Sequence, residues 1–277
     1  MLYLVGTPIG NLGDISPRAC EILSSVDLVA CEDTRRTGLL LSGLNISNKL
    51  FSYHEHNKAA KGQVLLGMLK EGMDIALVSD AGMPSVSDPG EDMVALCIAE
   101  GIDVSAVPGP VAGVTALVLS GLDTRRYHFE GFLPSENKPR KERLEKLGAI
   151  EDTIILYEAP HRLMKLIEEL DSYGFSDCRV SFCRELTKKY EEVIRLRVKE
   201  ALEYFTEKPP KGEFVVCLEP LAVKPEKETV LSDEEIDDMI RALSKEGHST
   251  KEIARIVSEK TQRSKKDLYN YAVNLLK

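Results

Sequence analysis

The sequence predicts an α/β protein with two α/β domains and a small helical tail, and three patterns in its 277 residues support this prediction. Short apolar runs alternate with helical segments through residues 1–121, as expected for a parallel or mostly parallel sheet covered by helices. A second series of strands and helices occupies residues 122–220. A Pro/Lys/Glu-rich segment at 219–231 is predicted to be a linker to three helices in residues 231–277.

The first domain is predicted from apolar runs bounded by turn residues. These runs predict strands at 2–6, 27–31, 49–53, 74–79 and 103–107. One helix is predicted to begin at Ser16-Pro17, because serine caps helices and proline suits the first helical position. The remaining segments predict helices at 35–43, 57–71, 91–100 and 111–121.

The second domain is predicted to contain a mixed sheet. Its strands are expected at 127–132, 153–157, 178–183, 191–198 and 213–218, and its helices at 138–148, 161–173 and 198–206. The connection between 178–183 and 191–198 is short, which favours an antiparallel pair. In the tail, Ser232 to Glu235 has the pattern of a capping box, and further helices are expected after Gly247 and from Ser264 to Leu276.

Composition narrows the class of protein. The apolar fraction of 43% and the charged fraction of 29% are ordinary for a soluble folded chain. No window approaches the ~18–20 apolar residues that span a bilayer, and the N-terminus lacks a signal peptide, so we expect a cytoplasmic protein. The six cysteines form no Cys-x-x-Cys pair, and no His/Cys cluster has ligand spacing, so neither a disulfide framework nor a metal site is expected.

Charge is distributed unevenly along the chain. The net charge is −9 overall, which argues against nonspecific coating of nucleic acid. Residues 241–277 contain nine Lys/Arg and four Asp/Glu, a net charge of +5, so residues 1–240 carry −14. The basic tail is therefore a candidate contact surface for an anionic partner, and the alternative is a charged helical tail that only contacts solvent.

The first loop, Gly6 to Gly13, only superficially resembles a dinucleotide-binding fingerprint. Its glycine spacing differs, Pro8 occupies the turn, and the next helix is expected only at Ser16. A phosphate cradle needs free N–H groups at a helix N-terminus, so this loop does not predict a pyrophosphate site. A strand-to-helix turn remains the alternative.

The second loop, at 79–90, has the character of a ligand-binding loop. It is long and follows a buried strand, and ligands of α/β proteins bind at the carboxyl ends of such strands. Asp80 is suited to accept hydrogen bonds from ribose hydroxyls or an ammonium group, and Gly82 permits close approach of a ligand. Asp88-Pro89-Gly90 is well explained as a simple turn. The loop at 107–113 is also rich in small residues, which is weaker evidence.

Three further polar clusters follow predicted strands. Glu32, Asp33, Arg35 and Arg36 are interpreted either as an acid/base and phosphate-binding cluster or as a helix start capped by Asp33 or Thr34. The segments at 157–162 and 184–189 are either functional strand ends or solvated turns. His161 alone is more typical of a surface histidine than of a catalytic one.

Taken together, these loops resemble the tetrapyrrole methylase superfamily, and more closely its RsmI family of ribosomal RNA small subunit methyltransferases. The matching motifs occur in the family's order and are specific: GTPIGNLGDIS (6–16), CEDTRRT (31–37), SDAGMPSVSDPG (79–90), VPGPVA (107–112), GFLP (131–134), YEAPHR (157–162), RELTKKYEE (184–192) and GEFV (212–215). The resemblance spans about residues 1–220, and the tail beyond 231 is a weaker match to an extra C-terminal domain.

The resemblance implies a non-Rossmann methyltransferase that is a homodimer and holds S-adenosyl-L-methionine in a cleft between its two α/β domains. It implies 2′-O-methylation of a cytidine in the decoding region of small-subunit ribosomal RNA. The cofactor contacts that it implies are Pro8, Ala81, Gly82, Val86, Val111, Ala112, Tyr157 and Glu158. Porphyrin-methylating relatives carry an aspartate where this chain has Met83, which favours the RNA branch, and Asp80 is a candidate to take the aspartate's role.

The catalytic hypothesis concerns removal of a proton from a weakly acidic ribose hydroxyl. Glu32 or Asp33 is predicted to assist deprotonation, and Arg35 to bind an adjacent phosphate. The tail is predicted to help dock RNA, using the phosphate contacts Arg255, Arg263, Lys265 and Lys266. Two alternatives remain: methylation of a porphyrin-like small molecule or a protein by the same fold, and a non-enzymatic ribosome-binding module.

Overall fold

The computed structural model describes residues 1–221, 233–260 and 264–276. The chain divides into two compact units, residues 1–221 and 222–277, and each is described by itself. Most of the predicted linker at 219–231, the first residue of the predicted capping box (Ser232) and Arg263 lie outside the described residues.

The first sheet is built from five parallel strands. In space their order is β3-β2-β4-β1-β5, and they span Leu2–Val5 (β1), Leu28–Cys31 (β2), Leu50–Ser52 (β3), Ile75–Val78 (β4) and Val104–Val107 (β5). The helices in this part of the chain are Pro17–Ser25 (α1), Thr34–Gly43 (α2), Lys58–Lys70 (α3), Glu91–Ala99 (α4) and Ala112–Ser120 (α5). The predicted parallel sheet is confirmed, and Ser16 caps α1 by accepting a hydrogen bond from the backbone N–H of Ala19.

The inner strands β2 and β4 of the first sheet are apolar throughout because both faces of the sheet are covered there. All four residues of β2 and of β4 are buried, and alternate residues belong to two apolar clusters on opposite faces. Since β1, β4 and β2 are neighbours and run in the same direction, the loops that follow them leave one edge of the sheet side by side. The fold thereby brings residues from three distant parts of the sequence to one place.

The second sheet is mixed, as predicted. Its order is β6-β7-β10-β8-β9, with strands at Tyr127–Phe132 (β6), Thr153–Glu158 (β7), Arg179–Arg184 (β8), Glu192–Arg197 (β9) and Phe214–Leu218 (β10). Only β6 and β7 are parallel; the other neighbours, including the predicted pair β8–β9, are antiparallel. Three helices accompany it, at Asn137–Leu147 (α6), Pro160–Leu170 (α7) and Val198–Glu207 (α8).

Two local features were missed by the sequence patterns. Leu12–Asp14 forms a short 3₁₀ turn within the first loop. The predicted helix at 161–173 stops being α-helical at Leu170 and continues as a π-helical segment, Asp171–Phe175, in which Gly174 has a φ of +93°. Helical periodicity does not distinguish these tighter or wider turns from an α-helix.

Helix α5 joins the two sheets. It follows β5 of the first sheet, yet Ala116 and Leu117 pack in one cluster with Ile155, Cys183 and Val215 of the second sheet. Its sequence is apolar nearly all round, which a helix covered on more than one side requires.

The C-terminal unit contains three helices within its described residues, as predicted. They span Asp233–Lys245 (α9), Thr250–Lys260 (α10) and Lys265–Leu275 (α11). Ile236, Ile240, Ile253 and Leu268 contribute to its buried core. Ser264 caps α11 by accepting a hydrogen bond from the backbone N–H of Asp267. Across the described parts of the chain, we find no helix with the length and apolar character needed to cross a membrane.

Candidate functional site

A cavity of about 460 Å³ opens among the loops at the carboxyl ends of the first sheet and the facing edge of the second. Its size lies in the range of small-molecule sites, ~300–1,000 Å³. Residues from both sheets line it: Ile9, Glu32, Arg36, Asp80, Ala81, Gly82, Met83, Val86, Ser87, Asp88, Val111 and Ala112 on the first side, and Phe132, Tyr157, Glu158, Ala159, Pro160, Leu186, Glu213, Phe214 and Val215 on the second.

Backbone contacts tie the loops of the first side together. Thr7 and Gly82 exchange backbone hydrogen bonds of 2.9 and 3.1 Å, so the first loop and the loop at 79–90 are paired like two short strands. A Cβ placed on Gly6 would stand 2.6 Å from the Cα of Gly109, so the loop at 107–113 packs directly on the first loop. Pro8 does not line the cavity, whereas its neighbour Ile9 does.

The loop at 79–90 lines the cavity and contains several residues with positive φ. Gly82 has a φ of +85°, and Ser85 and Ser87 have φ values of +69° and +63°, which are unfavourable for residues with a side chain. The hydroxyl of Ser85 is buried and finds no hydrogen-bond partner in the part of the chain that the structure describes. Such strain persists where the surrounding structure enforces it, and it is common at functional sites.

Asp80 holds this loop against the segment after β2. One oxygen of its carboxylate accepts a hydrogen bond from the backbone N–H of Asp33 (3.1 Å), and the other pairs with the Arg36 guanidinium (3.0 Å). Asp80 therefore has a structural function within the cavity wall and still presents a negative charge to the cavity.

Asp88, which the sequence explains as a turn residue, also lines the cavity. It does not cap α4, whose N-cap is Gly90, and it makes no hydrogen bond or ion pair within the described residues. Burial raises the pKa of this carboxyl to about 6, with smaller contributions from the charges of Glu32 and Asp80. Sequence reasoning missed Asp88 because the Asp-Pro-Gly pattern is a sufficient turn signal on its own.

The cluster after β2 divides into two parts. Glu32 and Arg36 line the cavity, whereas Asp33 and Arg35 do not. Asp33 is the N-cap of α2 and accepts a hydrogen bond from the Arg35 backbone N–H (2.8 Å); its carboxylate also pairs with the Arg35 guanidinium (2.8 Å). The hydrogen bonds with Arg35 lower the pKa of Asp33 far below its usual range. Arg35 is 88% exposed.

Glu32 has the electrostatic character of a proton acceptor. Burial raises its pKa, and the charge of Asp80 adds to that increase, while Arg36 opposes it. A carboxylate with a raised pKa is a stronger base than an ordinary surface carboxylate.

On the second side, Tyr157 is fixed by aromatic and backbone contacts. Its ring makes edge-to-face contacts with Phe129 and Phe132, at centroid distances of 5.2 and 5.5 Å. Its hydroxyl accepts a hydrogen bond from the backbone N–H of Gly113 (3.0 Å), in the first turn of α5. The predicted residues Val111 and Ala112 thus meet Tyr157 at the cavity.

Glu158 is a buried ion-pair residue. Its carboxylate lies 3.3 Å from the Arg140 guanidinium and 3.2 Å from that of Arg162, and it accepts a hydrogen bond from the Ala159 backbone N–H. Arg140 also pairs with Glu169 (2.8 Å). The carboxylate of Glu158 is therefore occupied by contacts that fix the end of β7. The backbone at this strand end is the part of Glu158 that we expect to contact a ligand.

The turn at 185–191 closes the cavity from another direction. Leu186 lines the cavity between Glu185 and Thr187, whose φ values are +51° and +64°. The ammonium group of Lys188 pairs with Glu185 (3.0 Å) and Glu213 (2.7 Å). His161 lies outside the lining and is exposed, as expected for a surface histidine.

The structure therefore brings together most of the residues predicted for the site. Nine of them line the cavity, namely Glu32, Asp80, Ala81, Gly82, Val86, Val111, Ala112, Tyr157 and Glu158, whereas Pro8, Asp33 and Arg35 do not. The additional lining residues include Arg36, which the sequence analysis placed in the cluster after β2, and Phe132, which lies in the GFLP motif but was not singled out. Phe214 and Val215 were missed because a buried strand carries no polar signal.

Solved structures share the fold of this chain. Uroporphyrin-III C-methyltransferase from Thermus thermophilus superposes with a TM-score of 0.57 at 21% identity, over 78% of this chain and 93% of its own. A diphthine synthase gives 0.61 at 14% identity, over 79% and 90%. Residues 1–202 match the family model of Tetrapyrrole (Corrin/Porphyrin) Methylases. The fold and the cavity thus define a methylase of the tetrapyrrole type.

Curated relatives narrow this class. Ribosomal RNA small subunit methyltransferase I of Synechocystis is 45% identical over 99% of this chain and 98% of its own length, and that of Vibrio cholerae is 41% identical over 100% and 95%. Residues 230–276 match the RsmI C-terminal HTH domain. The chain belongs to the ribosomal RNA small subunit methyltransferase I family of the tetrapyrrole methylases.

Proposed function

We propose that this protein transfers a methyl group from S-adenosyl-L-methionine to the ribose 2′-hydroxyl of a cytidine in small-subunit ribosomal RNA. The observation that carries the proposal is the raised-pKa carboxyl of Glu32 in a cavity formed by both sheets. The names of relatives that match nearly the whole chain support the RNA substrate, and a related fold has been solved with S-adenosylhomocysteine.

The cavity residues fit this cofactor. Gly82 has a positive φ, and a Cβ there would stand 3.3 Å from the Pro110 carbonyl oxygen, so glycine suits this position and leaves the cavity wall without a side chain. The carboxyls of Glu32, Asp80 and Asp88 complement a positively charged group. Bound there, S-adenosyl-L-methionine supplies an activated methyl group. The proposed contacts are Asp80, Ala81, Gly82, Val86, Val111, Ala112, Tyr157 and the strand end at Glu158.

Glu32 is the proposed general base. Its carboxylate would accept the proton of the ribose hydroxyl as that oxygen bonds to the methyl carbon, while the bond from the methyl carbon to the sulfonium sulfur would break and S-adenosylhomocysteine would leave. Arg36, which lines the cavity, replaces Arg35 as the proposed partner of a substrate phosphate. Asp33 is unsuited to the role of base because its carboxylate is fixed by Arg35 and its pKa is lowered. General-base catalysis contributes ~10²–10⁴-fold to a rate.

The test measures transfer of labelled methyl groups to purified small ribosomal subunits. Glu32→Gln should lower kcat by ~10²–10⁴-fold, while Asp33→Asn, which keeps an N-cap acceptor, should retain most of the wild-type kcat. Full turnover by Glu32→Gln at saturating substrate would remove Glu32 from the mechanism. Absence of transfer by the wild-type protein to any RNA would remove the proposed function itself.

The proposed setting of the reaction is the cytoplasm, with the protein acting as a homodimer on the small subunit. The C-terminal unit is proposed to add phosphate contacts through Arg255, Lys265 and Lys266, and its match to an HTH domain model supports a role in nucleic-acid binding. Arg263 belongs to the same proposed set, although it lies outside the described residues. Binding that depends on such contacts should weaken steeply with salt.

A further inference from the structure

Phe132 ends strand β6 in an unusual orientation. The pairing of β6 with β7 shifts register between Phe129 and Gly131, which is a β-bulge, and Gly131 has a φ of +69°. In a regular strand, residues three apart point to opposite faces. Here Phe129 and Phe132 both make edge-to-face contacts with Tyr157. Because a bulge reorients the side chains that follow it, it accounts for the position of the Phe132 ring in the cavity wall.

The Phe132 ring is both held in place and open to solvent. It is 54% exposed, compared with 36% for Val86, the other exposed large apolar residue of the cavity lining. A single exposed apolar side chain needs no explanation on a protein surface. At Phe132, however, the ring is oriented by Tyr157 and belongs to the GFLP motif at 131–134, to which the proposed chemistry gives no function. A fixed, exposed aromatic face at a cavity is suited to stack on a planar ring.

We propose that Phe132 is the stacking surface for the base of the target nucleotide, an inference that rests on the proposed function. A ribose hydroxyl reaches a cavity of this kind only if its nucleotide leaves the neighbouring stack, which exposes both faces of its base. Phe132 then replaces one lost stacking neighbour. The adenine ring of the cofactor has the same planar chemistry, but Gly82 and Val215 of the cavity lining are buried whereas Phe132 faces solvent. We therefore assign the adenine to the buried lining and the exposed ring to the substrate base.

The absence of tryptophan from the chain allows a direct optical test. Residue 132 is replaced by 5-hydroxytryptophan in the full-length protein, which can be excited at longer wavelengths than the tryptophans of ribosomal proteins. The control carries the same replacement at Tyr127, which is 46% exposed on the same strand but lies outside the cavity lining. Fluorescence is recorded with S-adenosylhomocysteine alone, with small subunits alone and with both.

The expected result is quenching at position 132 when small subunits are added, little change with S-adenosylhomocysteine alone, and little change at position 127 in every case. Quenching by S-adenosylhomocysteine alone would assign the ring to the cofactor and overturn the proposal. No quenching by subunits that the labelled protein methylates would overturn it as well.

A second measurement separates stacking from a general structural effect. Phe132→Ala should raise KM for small subunits by about 5- to 150-fold, the range expected for loss of one base-stacking contact, while the Kd for S-adenosylhomocysteine stays within about twofold of the wild-type value. Phe132→Tyr should restore KM, since its ring stacks equally well. An unchanged KM for Phe132→Ala, in a wild-type background that does methylate RNA, would overturn the inference and leave the proposed function standing.

Discussion

The two sides of the cavity differ in how they carry their charge. On the side of the first sheet, the Asp88 side chain has no partner among the described residues, and the pKa values of Glu32 and Asp88 are raised. On the side of the second sheet, the carboxylate of Glu158 is buried and held by Arg140 and Arg162. The first side carries the carboxyls to which the proposed function assigns proton transfer and the binding of a cationic ligand. The second side uses its charges to fix the backbone and aromatic rings against which a ligand would lie.

The largest effect on stability is expected from breaking the ion pairs of the second side. Arg140→Met leaves the buried Glu158 without its most buried partner, which should lower the free energy of unfolding by about 3–5 kcal/mol. Arg126→Met is the matched control, because Arg126 is 84% exposed in its pair with Asp152 and such pairs contribute ~0–1 kcal/mol. Urea unfolding measures both variants, and similar losses for the two would show that burial of the network is unimportant.

A smaller loss is expected where the loops of the first side touch through glycine. A Cβ at Gly109 would stand 2.7 Å from the Cα of Gly6, so Gly109→Ala forces two backbones apart. We expect a loss of about 1–3 kcal/mol and weaker binding of S-adenosylhomocysteine by calorimetry. Gly67→Ala is the control, since nothing lies within 4 Å of its Cβ position and alanine favours a helix interior. Equal cofactor affinity in both variants would contradict the prediction.

The smallest effect is a pH dependence on the first side. Asp88 has a pKa of about 6 in the folded protein, against ~3.9 when unfolded. The folded state therefore binds the extra proton, and the resulting stability is present below pH ~4 and is lost as the pH rises through about 6. Asp88→Asn removes this loss.

The variant Asp88→Asn should therefore be more stable than the wild-type protein at pH 8. Since the side chain is partly exposed, solvent screening limits the gain to the order of 1 kcal/mol, and the two proteins should be equally stable near pH ~3.5. Urea unfolding at both pH values measures the difference. A difference in unfolding free energy that does not vary with pH would show that the charge of Asp88 does not destabilise the folded protein.

The order of the secondary-structure elements was predictable because periodicity and turn chemistry act locally. Buried strands such as β2 and β4 are apolar throughout, and Ser16-Pro17 specifies the start of α1 without help from the rest of the chain. The π-helical segment at Asp171–Phe175 was missed because its sequence continues the helical pattern of α7. The parallel arrangement of β1, β2 and β4 also followed from the alternation of strands and helices.

The site was predictable only in part. Tertiary contacts decide which side chains of a loop point into a cavity, and a local sequence pattern does not contain that information. Glu32 and Asp33 are adjacent in sequence, yet one lines the cavity and the other caps a helix. Asp88 fits a turn by its sequence, and only the fold shows that this residue lines the cavity. Phe132 depends on a register shift between two strands, which no local pattern in β6 reveals.

The packing of α5 has a consequence for dividing this protein into parts. The helix is reached from the first sheet, but its Ala116 and Leu117 lie in an apolar cluster with strands of the second. A fragment that ends after Gly121 would remove α5 from the second sheet, so apolar surface would become exposed both on that sheet and on the helix. We expect each half to aggregate when it is produced separately. Co-expression of the two halves should yield soluble protein only if α5 packs again on the second sheet.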